Sequence, residues 1–152
     1  MGTPDLPARP VARATQPSGG RAGEDPRRTL GRRGEDLAAD HLRRLGFTVL
    51  ARNVRTRGGE IDLIVFGEGT IVFAEVKTLR TGAPGAAVRA DQQPLLWLRH
   101  RQRARIRRLA AAWLGDREGA RPTAATIRFD AIGVTVDAAA RLVRLEHVEG
   151  AW

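Results

Sequence analysis

The chain has 152 residues, 42% of them hydrophobic, and a formal net charge of +9, which is enough for one cored domain and a tail. It has no cysteine, excluding disulfides, thiolate catalysis and cysteine-based zinc sites, and His41, His100 and His147 never take metal-ligand spacing. No apolar run approaches the ~20 residues of a membrane span, and the N-terminus lacks a signal-peptide core, so the expectation is a cytoplasmic protein with no membrane partner. The positive surplus favours a polyanion: neutralising phosphates releases counterions from nucleic acid, although an acidic surface would attract the same charge.

Residues 1–28 hold five of the eight prolines and almost no periodic apolar pattern. They read as a disordered, basic, Pro/Gly-rich tail ahead of a folded domain over 29–152. Thr29 is the predicted N-cap of a first helix, with Leu30, Leu37, Ala38, Leu42 and Leu45 at helical spacing and Gly46 as its stop. Glu35 lies three residues before Ala38 and seven before Leu42, on the same side of that helix. Phe47 to Asn53 alternates as a strand, and Arg52, Arg55 and Arg57 follow on a loop ending at Gly58-Gly59.

Glu60–Phe66 and Ile71–Thr78 are rich in branched and aromatic residues, joined through Gly67-Glu68-Gly69-Thr70, and predict a β-hairpin. Beyond it comes a long arginine-studded helical stretch, with Ile106, Leu109, Ala110 and Trp113 as one apolar stripe and Gly115 as its end. Pro94 suggests that the segment before it is separate. Thr126–Val136 and Leu142–Val148 read as two closing strands. The order helix, three strands, helix, two strands fits an α/β sandwich around a mixed sheet.

The hairpin carries the chemistry. With Glu68-Gly69 as a two-residue turn, Phe66 faces Ile71, Ile64 faces Phe73, Asp62 faces Glu75 and Glu60 faces Lys77, all on one side. Ile61, Leu63 and Val65 lie with Val72, Ala74 and Val76 on the other side, which is wholly apolar. Two opposed carboxylates destabilise a sheet unless a cation sits between them or one is protonated. All-oxygen ligands suit a hard divalent cation. Of the 26 basic residues 25 are arginine, so Lys77 is the only lysine, a compact charge whose proton can move where a guanidinium's cannot. Two carboxylates and a lysine on one face meet the needs of phosphodiester hydrolysis, and they equally make a surface ion-pair patch.

Gly59-Glu60-Ile61-Asp62-Leu63-Ile64, followed by Phe73-Ala74-Glu75-Val76-Lys77, resembles the D…(D/E)xK core of the restriction-endonuclease-like superfamily. The 13-residue separation of Asp62 and Glu75 resembles that in archaeal Holliday-junction resolvases. More closely, Gly31-x-x-Gly34-Glu35-x-x-Ala38, Arg52-Asn53, the GEIDLI run, EVKT and Arg128-Phe129-Asp130 resemble the YraN-like family of uncharacterised bacterial proteins, from about Leu30 to Val136.

The resemblance implies an α/β, restriction-endonuclease-like αβββαβ core, its mixed central sheet flanked by helices. It also implies nuclease chemistry dependent on Mg2+ or Mn2+. Asp62 and Glu75 would be metal ligands with the Val76 backbone carbonyl, and Glu35 would bind or orient a metal-bound water. Lys77 would orient or deprotonate the attacking water, and Gln102 would help orient the scissile phosphate. Arg101 stands where the family usually places a lysine beside that glutamine.

Six arginines and no acid occupy residues 99–108. Arg99, Arg103 and Arg107 form one helical row, and with Arg32, Arg33, Arg55 and Arg57 they are the expected nucleic-acid contacts. The leading expectation is a metal-dependent endonuclease on DNA, branched or structured DNA by analogy with resolvases, where cutting two strands would want a homodimer. A non-catalytic nucleic-acid-binding module on the same fold is the alternative, and a protein-interaction scaffold a third reading.

Overall fold

Asp25, not Thr29, caps the first helix. In the computed structural model, which describes residues 25–82, 100–116 and 121–152, α1 runs Pro26–Arg44. The Asp25 carboxylate accepts from Arg27 N at 3.0 Å, and Pro26, whose missing N–H costs nothing at a helix start, opens the first turn. The four residues 25–28 thus belong with the folded unit, whereas Thr29 sits inside the helix with its hydroxyl on Asp25 O at 3.3 Å. At the other end Phe47 N donates to Leu42 O and Gly46 N to Arg43 O, both at 3.0 Å, with Gly46 at φ +92°. This is the pair of bonds that closes a helix through a left-handed glycine. The tail up to residue 24 and the segment 91–99, with Trp97 and Arg99, lie outside the described residues.

Five strands form one sheet in the order β1-β2-β3-β4-β5: β1 Thr48–Thr56, β2 Gly59–Gly67, β3 Thr70–Arg80, β4 Thr126–Val136 and β5 Leu142–Val148. β3 and β4 are parallel, linked through α2 (His100–Gly115), and the other neighbours are antiparallel. The fold is therefore an α/β sandwich around a mixed sheet, as the element order predicts. β1 runs three residues further than expected, so Arg52 and Arg55 lie on a strand and only Arg57-Gly58 make the turn.

Each face of the sheet is roofed by one helix. Ala38, Ala39 and Leu42 of α1 pack on Leu63, Val65, Val72, Ala74, Val76, Ile132 and Val134. Ile106, Leu109 and Ala110 of α2 pack on Ile61, Ile64, Ile71 and Phe73, with Trp113 edge-on to Phe73 at 5.6 Å. Burying both faces explains why β2 and β3 are nearly continuous apolar runs near the turn.

Strict alternation places Ile61 with Leu63 and Val65, but the structure moves it to the α2 side. β1 pairs Arg52 with Leu63 and Val54 with Ile61, and Asn53 between them is left-handed at φ +50°. Val54 and Ile61 turn together toward α2, while Arg52 stays near α1 and pairs with Asp36 at 2.6 Å. Asp62 sits at this change of face.

Candidate functional site

The two-residue turn at Glu68-Gly69 sets the hairpin register, with Gly67 opposite Thr70, Phe66 opposite Ile71 and Ile64 opposite Phe73. The ladder ends at Leu63–Ala74, one pair before Asp62 would face Glu75. Beyond that point the Asp62 carboxylate replaces a strand partner: its Oδ2 accepts from Val76 N at 2.7 Å. The N–H and C=O of one strand residue point the same way, so the Val76 carbonyl faces the same gap. The expected opposition of Glu60 and Lys77 does not form, because Glu60 turns to Arg55 across β1 at 3.0 Å.

Asp62, Glu75 and Lys77 open onto one pocket of ≈ 510 Å³, together with Glu60, Arg55, Arg57 and Arg105. Glu75 is 3% exposed and its Oε1 accepts from Lys77 Nζ at 2.5 Å, while Lys77 stays partly open to solvent. Asp62 is pushed up to about 7, first by burial and then by the charge of Glu75, with Glu35 adding to it; the Val76 N–H and Lys77 pull the other way. Glu35 is half-buried on α1, and its Oε2 is buried with no hydrogen-bond partner.

α1 reaches this close because residue 34 is glycine. A Cβ there would lie 1.8 Å from the Thr78 hydroxyl oxygen of β3. Glu35 is thus delivered to the sheet one residue past the closest helix–strand approach. Gly59, at φ +139°, plays a similar part for α2: a Cβ there would lie 3.3 Å from the Arg105 side chain, which crosses the backbone at this point. Arg105 is the residue that the helical spacing overlooks, since 103 and 107 face away from 105. Arg103 lies over Trp152 at 6.0 Å and Arg107 over Phe129 at 5.9 Å, and neither lines the pocket.

The remaining expected residues scatter. Arg55 and Arg57 line the pocket. Arg33 Nε donates to Ala140 O at 3.0 Å, at the β4–β5 turn, and Arg32 is exposed on α1. Gln102 is half-buried on α2 and does not line the pocket. Asp130, buried on the α1 face, accepts from Arg128 at 2.9 and 2.8 Å and from Gly150 N at 3.0 Å, and contacts His147 Nε2 at 2.8 Å. His147 Nδ1 meets His41 Nε2 of α1 at 3.1 Å. Burial alone would raise Asp130, but these hydrogen bonds and the Arg128 charge hold it below the ordinary carboxylate range. This network ties β4, β5 and α1 together, away from the carboxylate pocket.

A divalent ion suits the donors that do converge. No three His, Cys, Asp or Glu side chains among the described residues form a ready-made metal cluster. Asp62 and Glu75 each keep one carboxylate oxygen outside the hydrogen bonds above, and the Val76 carbonyl faces them. Glu35 does not line the pocket but lies near enough for its charge to raise Asp62, and its Oε2 is buried without a partner. The raised Asp62 calls for positive charge or a proton in this gap.

The shift on Asp62 gives a stability test. Its folded value, about 7, lies above the ordinary 3.8, so the folded state holds a proton that the unfolded chain releases as pH rises. The Asp62 contribution to stability therefore falls between about pH 4 and 7 and stays low above that window. In EDTA, Asp62→Asn is expected to melt higher than wild type at pH 8, with the gap closing by pH 5. Millimolar Mg2+ should narrow the pH 8 gap by stabilising wild type alone. Equal melting curves at both pH values would show that Asp62 is not strained in the fold.

Fold and site together define an α/β protein with a restriction-endonuclease-like core, its acidic pair and lysine gathered where β2 and β3 part. The chain belongs to the uncharacterised protein family UPF0102, the YraN-like family, whose sequence model matches residues 34–134. It is 42% identical to a UPF0102 protein of Frankia casuarinae, over 81% of this chain and 95% of the relative. A UPF0102 protein of Acidothermus cellulolyticus is 39% identical over 83% and 95%, and one of Geobacter sulfurreducens 40% identical over 81% and 88%. Among the described residues no helix is long and apolar enough to cross a membrane.

Proposed function

We propose that the chain is a metal-dependent endonuclease that hydrolyses phosphodiester bonds in DNA, with Asp62, Glu75 and the Val76 carbonyl holding Mg2+ or Mn2+. The observation that carries this reading is the convergence of Asp62, Glu75 and Lys77 with Arg55, Arg57 and Arg105 in one pocket. A surface ion-pair patch accounts for Lys77 and Glu75, but not for a second carboxylate pushed up by burial or a buried Glu35 oxygen with no partner.

When bound, the ion would supply Lewis-acid polarisation of the phosphate and a more acidic water. The chain's own groups do the rest. Arg55, Arg57 and Arg105 hold the phosphodiester over the acidic pair, offsetting the repulsion that an anionic substrate meets there. Lys77 donates to a non-bridging phosphate oxygen and steadies the charge that builds as the new P–O bond forms and the ester P–O bond opposite it breaks, while the attacking water's proton passes to solvent and the leaving oxygen takes one from it. Glu75, held by Lys77, keeps that ammonium aimed into the pocket. Glu35 orients water from the α1 side.

The test is cleavage of linear, flapped and four-way-junction DNA across a Mg2+ and Mn2+ titration, with Asp62→Ala and Lys77→Ala beside wild type and binding measured in Ca2+. Metal-dependent cutting that both substitutions abolish, while binding survives, supports the nuclease. Binding without cutting under any metal replaces it with a non-catalytic DNA-binding module. Neither binding nor cutting points to a protein partner.

A further inference from the structure

A second groove adjoins the carboxylate pocket and has a different chemistry. Its volume is ≈ 370 Å³, and its walls include Gly58, Leu109 and Ala112. Thr56, Arg57 and Arg105 line both cavities, so the two adjoin across these side chains. The Thr56 hydroxyl is already engaged in the β1–β2 turn, accepting from Gly58 N at 3.1 Å and donating to Gly59 O at 3.4 Å. Arg57, Arg105 and Arg108 supply charge around an otherwise hydrocarbon slot, and no carboxylate among the described residues lines it. Arg105 Nε, at the wall between the cavities, is buried without a hydrogen-bond partner.

Although three guanidinium groups border it, the wall of this groove is mostly hydrocarbon, not the polar surface studded with N–H donors that a phosphate backbone needs. It suits a flat, apolar-faced ring that stacks beneath guanidinium planes and asks for few hydrogen bonds. The volume sits at the low end of the ~300–1,000 Å³ typical of small-ligand pockets, room for a single ring system rather than several. A paired base cannot enter, because its faces are covered by its neighbours in the stack. Only a nucleotide that is unpaired or swung outward presents one.

We propose that this groove receives one unstacked nucleobase beside the scissile phosphate, so that the site selects DNA carrying an unpaired nucleotide. The inference rests on the nucleic-acid part of the reading above. The selection is made by the base's π-face rather than by its sequence, since the walls offer little hydrogen-bond readout. Arg105 links the two events: its guanidinium lies against the phosphate pocket on one side and the base groove on the other.

The experiment compares affinities of the full chain in Ca2+, without cleavage, for two DNAs of equal length and charge, one fully paired and one with a single unpaired thymidine. A third DNA carries an abasic residue at that thymidine, which removes the base and keeps the flexible backbone. The proposal expects the unpaired thymidine to bind at least about fivefold more tightly than the duplex, and the abasic DNA to lose that advantage. Ala112→Leu and Ala112→Trp, at an exposed helical position, fill the groove and are expected to bring the unpaired-to-paired affinity ratio toward one.

An abasic DNA that binds as well as the thymidine DNA overturns the proposal, since flexibility alone would then explain the preference. So does a preference that survives in folded Ala112 variants. If those variants fail to fold, the abasic comparison on wild type still decides. Cleavage is read separately in Mg2+. A protein that prefers the unpaired base but never cuts keeps this inference and loses the nuclease; one that cuts paired and unpaired DNA alike keeps the nuclease and loses the groove.

Discussion

Lys77→Met is expected to slow metal-dependent DNA cleavage by ~10²–10⁴-fold, the range spanned by losing a positioned proton-handling group. Binding of the same DNA in Ca2+ is expected to fall by less than about tenfold, because one cation among many phosphate contacts carries little of the affinity. Lys77→Arg should behave like the methionine variant. A guanidinium keeps the charge, but it is larger and planar and cannot place a compact charge at the same point beside Glu75. Single-turnover rates at saturating protein separate the two effects. Cleavage within a few-fold of wild type in Lys77→Met would remove the lysine from the chemistry and leave it a partner of Glu75 alone.

The same substitution has a structural cost. Glu75 is 3% exposed and Lys77 holds its Oε1. Methionine strands that oxygen, a penalty of ~1–3 kcal/mol for a buried group without its partner. Lys77→Met should therefore melt lower than wild type in EDTA, and the double variant Glu75→Gln/Lys77→Met should recover part of the loss, since a neutral amide tolerates burial better than a carboxylate. Recovery of stability without recovery of cleavage is the expected pattern.

Gly34→Ala is expected to destabilise the fold by about 1–3 kcal/mol, as overpacking does. Two effects oppose each other. Alanine is the better helix former by ~1 kcal/mol. Against that, its Cβ would lie 1.8 Å from Thr78 Oγ1 and 2.8 Å from both Thr78 Cβ and Cγ2, so no rotation of the threonine clears it. The clash prevails and α1 must move off the sheet, carrying Glu35 away from Asp62. Differential scanning calorimetry reads the stability, and Mg2+-dependent stabilisation reads the displacement of Glu35. Adding Thr78→Ala removes the two outer atoms and should restore part of both. A Gly34→Ala protein as stable as wild type would mean that helix and strand do not meet this closely.

Much of the site is legible in the sequence because hairpin geometry is local. The Glu68-Gly69 turn pins the register from Gly67–Thr70 to Leu63–Ala74, and Asp62, Glu75 and Lys77 follow at the far end of the same two strands. The stripe Ile106, Leu109, Ala110 and Trp113 was readable for the same reason: its period is set by the helix itself. Asp25-Pro26 was a readable signal too, hidden only by its place at the end of a proline-rich stretch.

Local rules failed at one point. Beside the left-handed Asn53, at φ +50°, Val54 and Ile61 lie on the face opposite to the one alternation gives them, and no periodicity announces such a change. The arginine row meets a different limit. Arg103 and Arg107 share one face of α2, but a row has no direction until the helix is docked. Docking puts that row over Trp152 and Phe129, and puts Arg105 against Gly59.

Element order and the two-residue turn thus follow from the chain alone, since each depends on residues close in sequence, and the turn is what brings Asp62 and Glu75, 13 residues apart, to one end of the hairpin. Which helix roofs which face, how near Glu35 comes to Asp62, and which arginine guards the pocket depend on contacts between residues far apart in sequence. Those contacts are set by how closely whole elements can pack: a missing Cβ at Gly34 for α1, and one at Gly59 for the Arg105 side chain of α2.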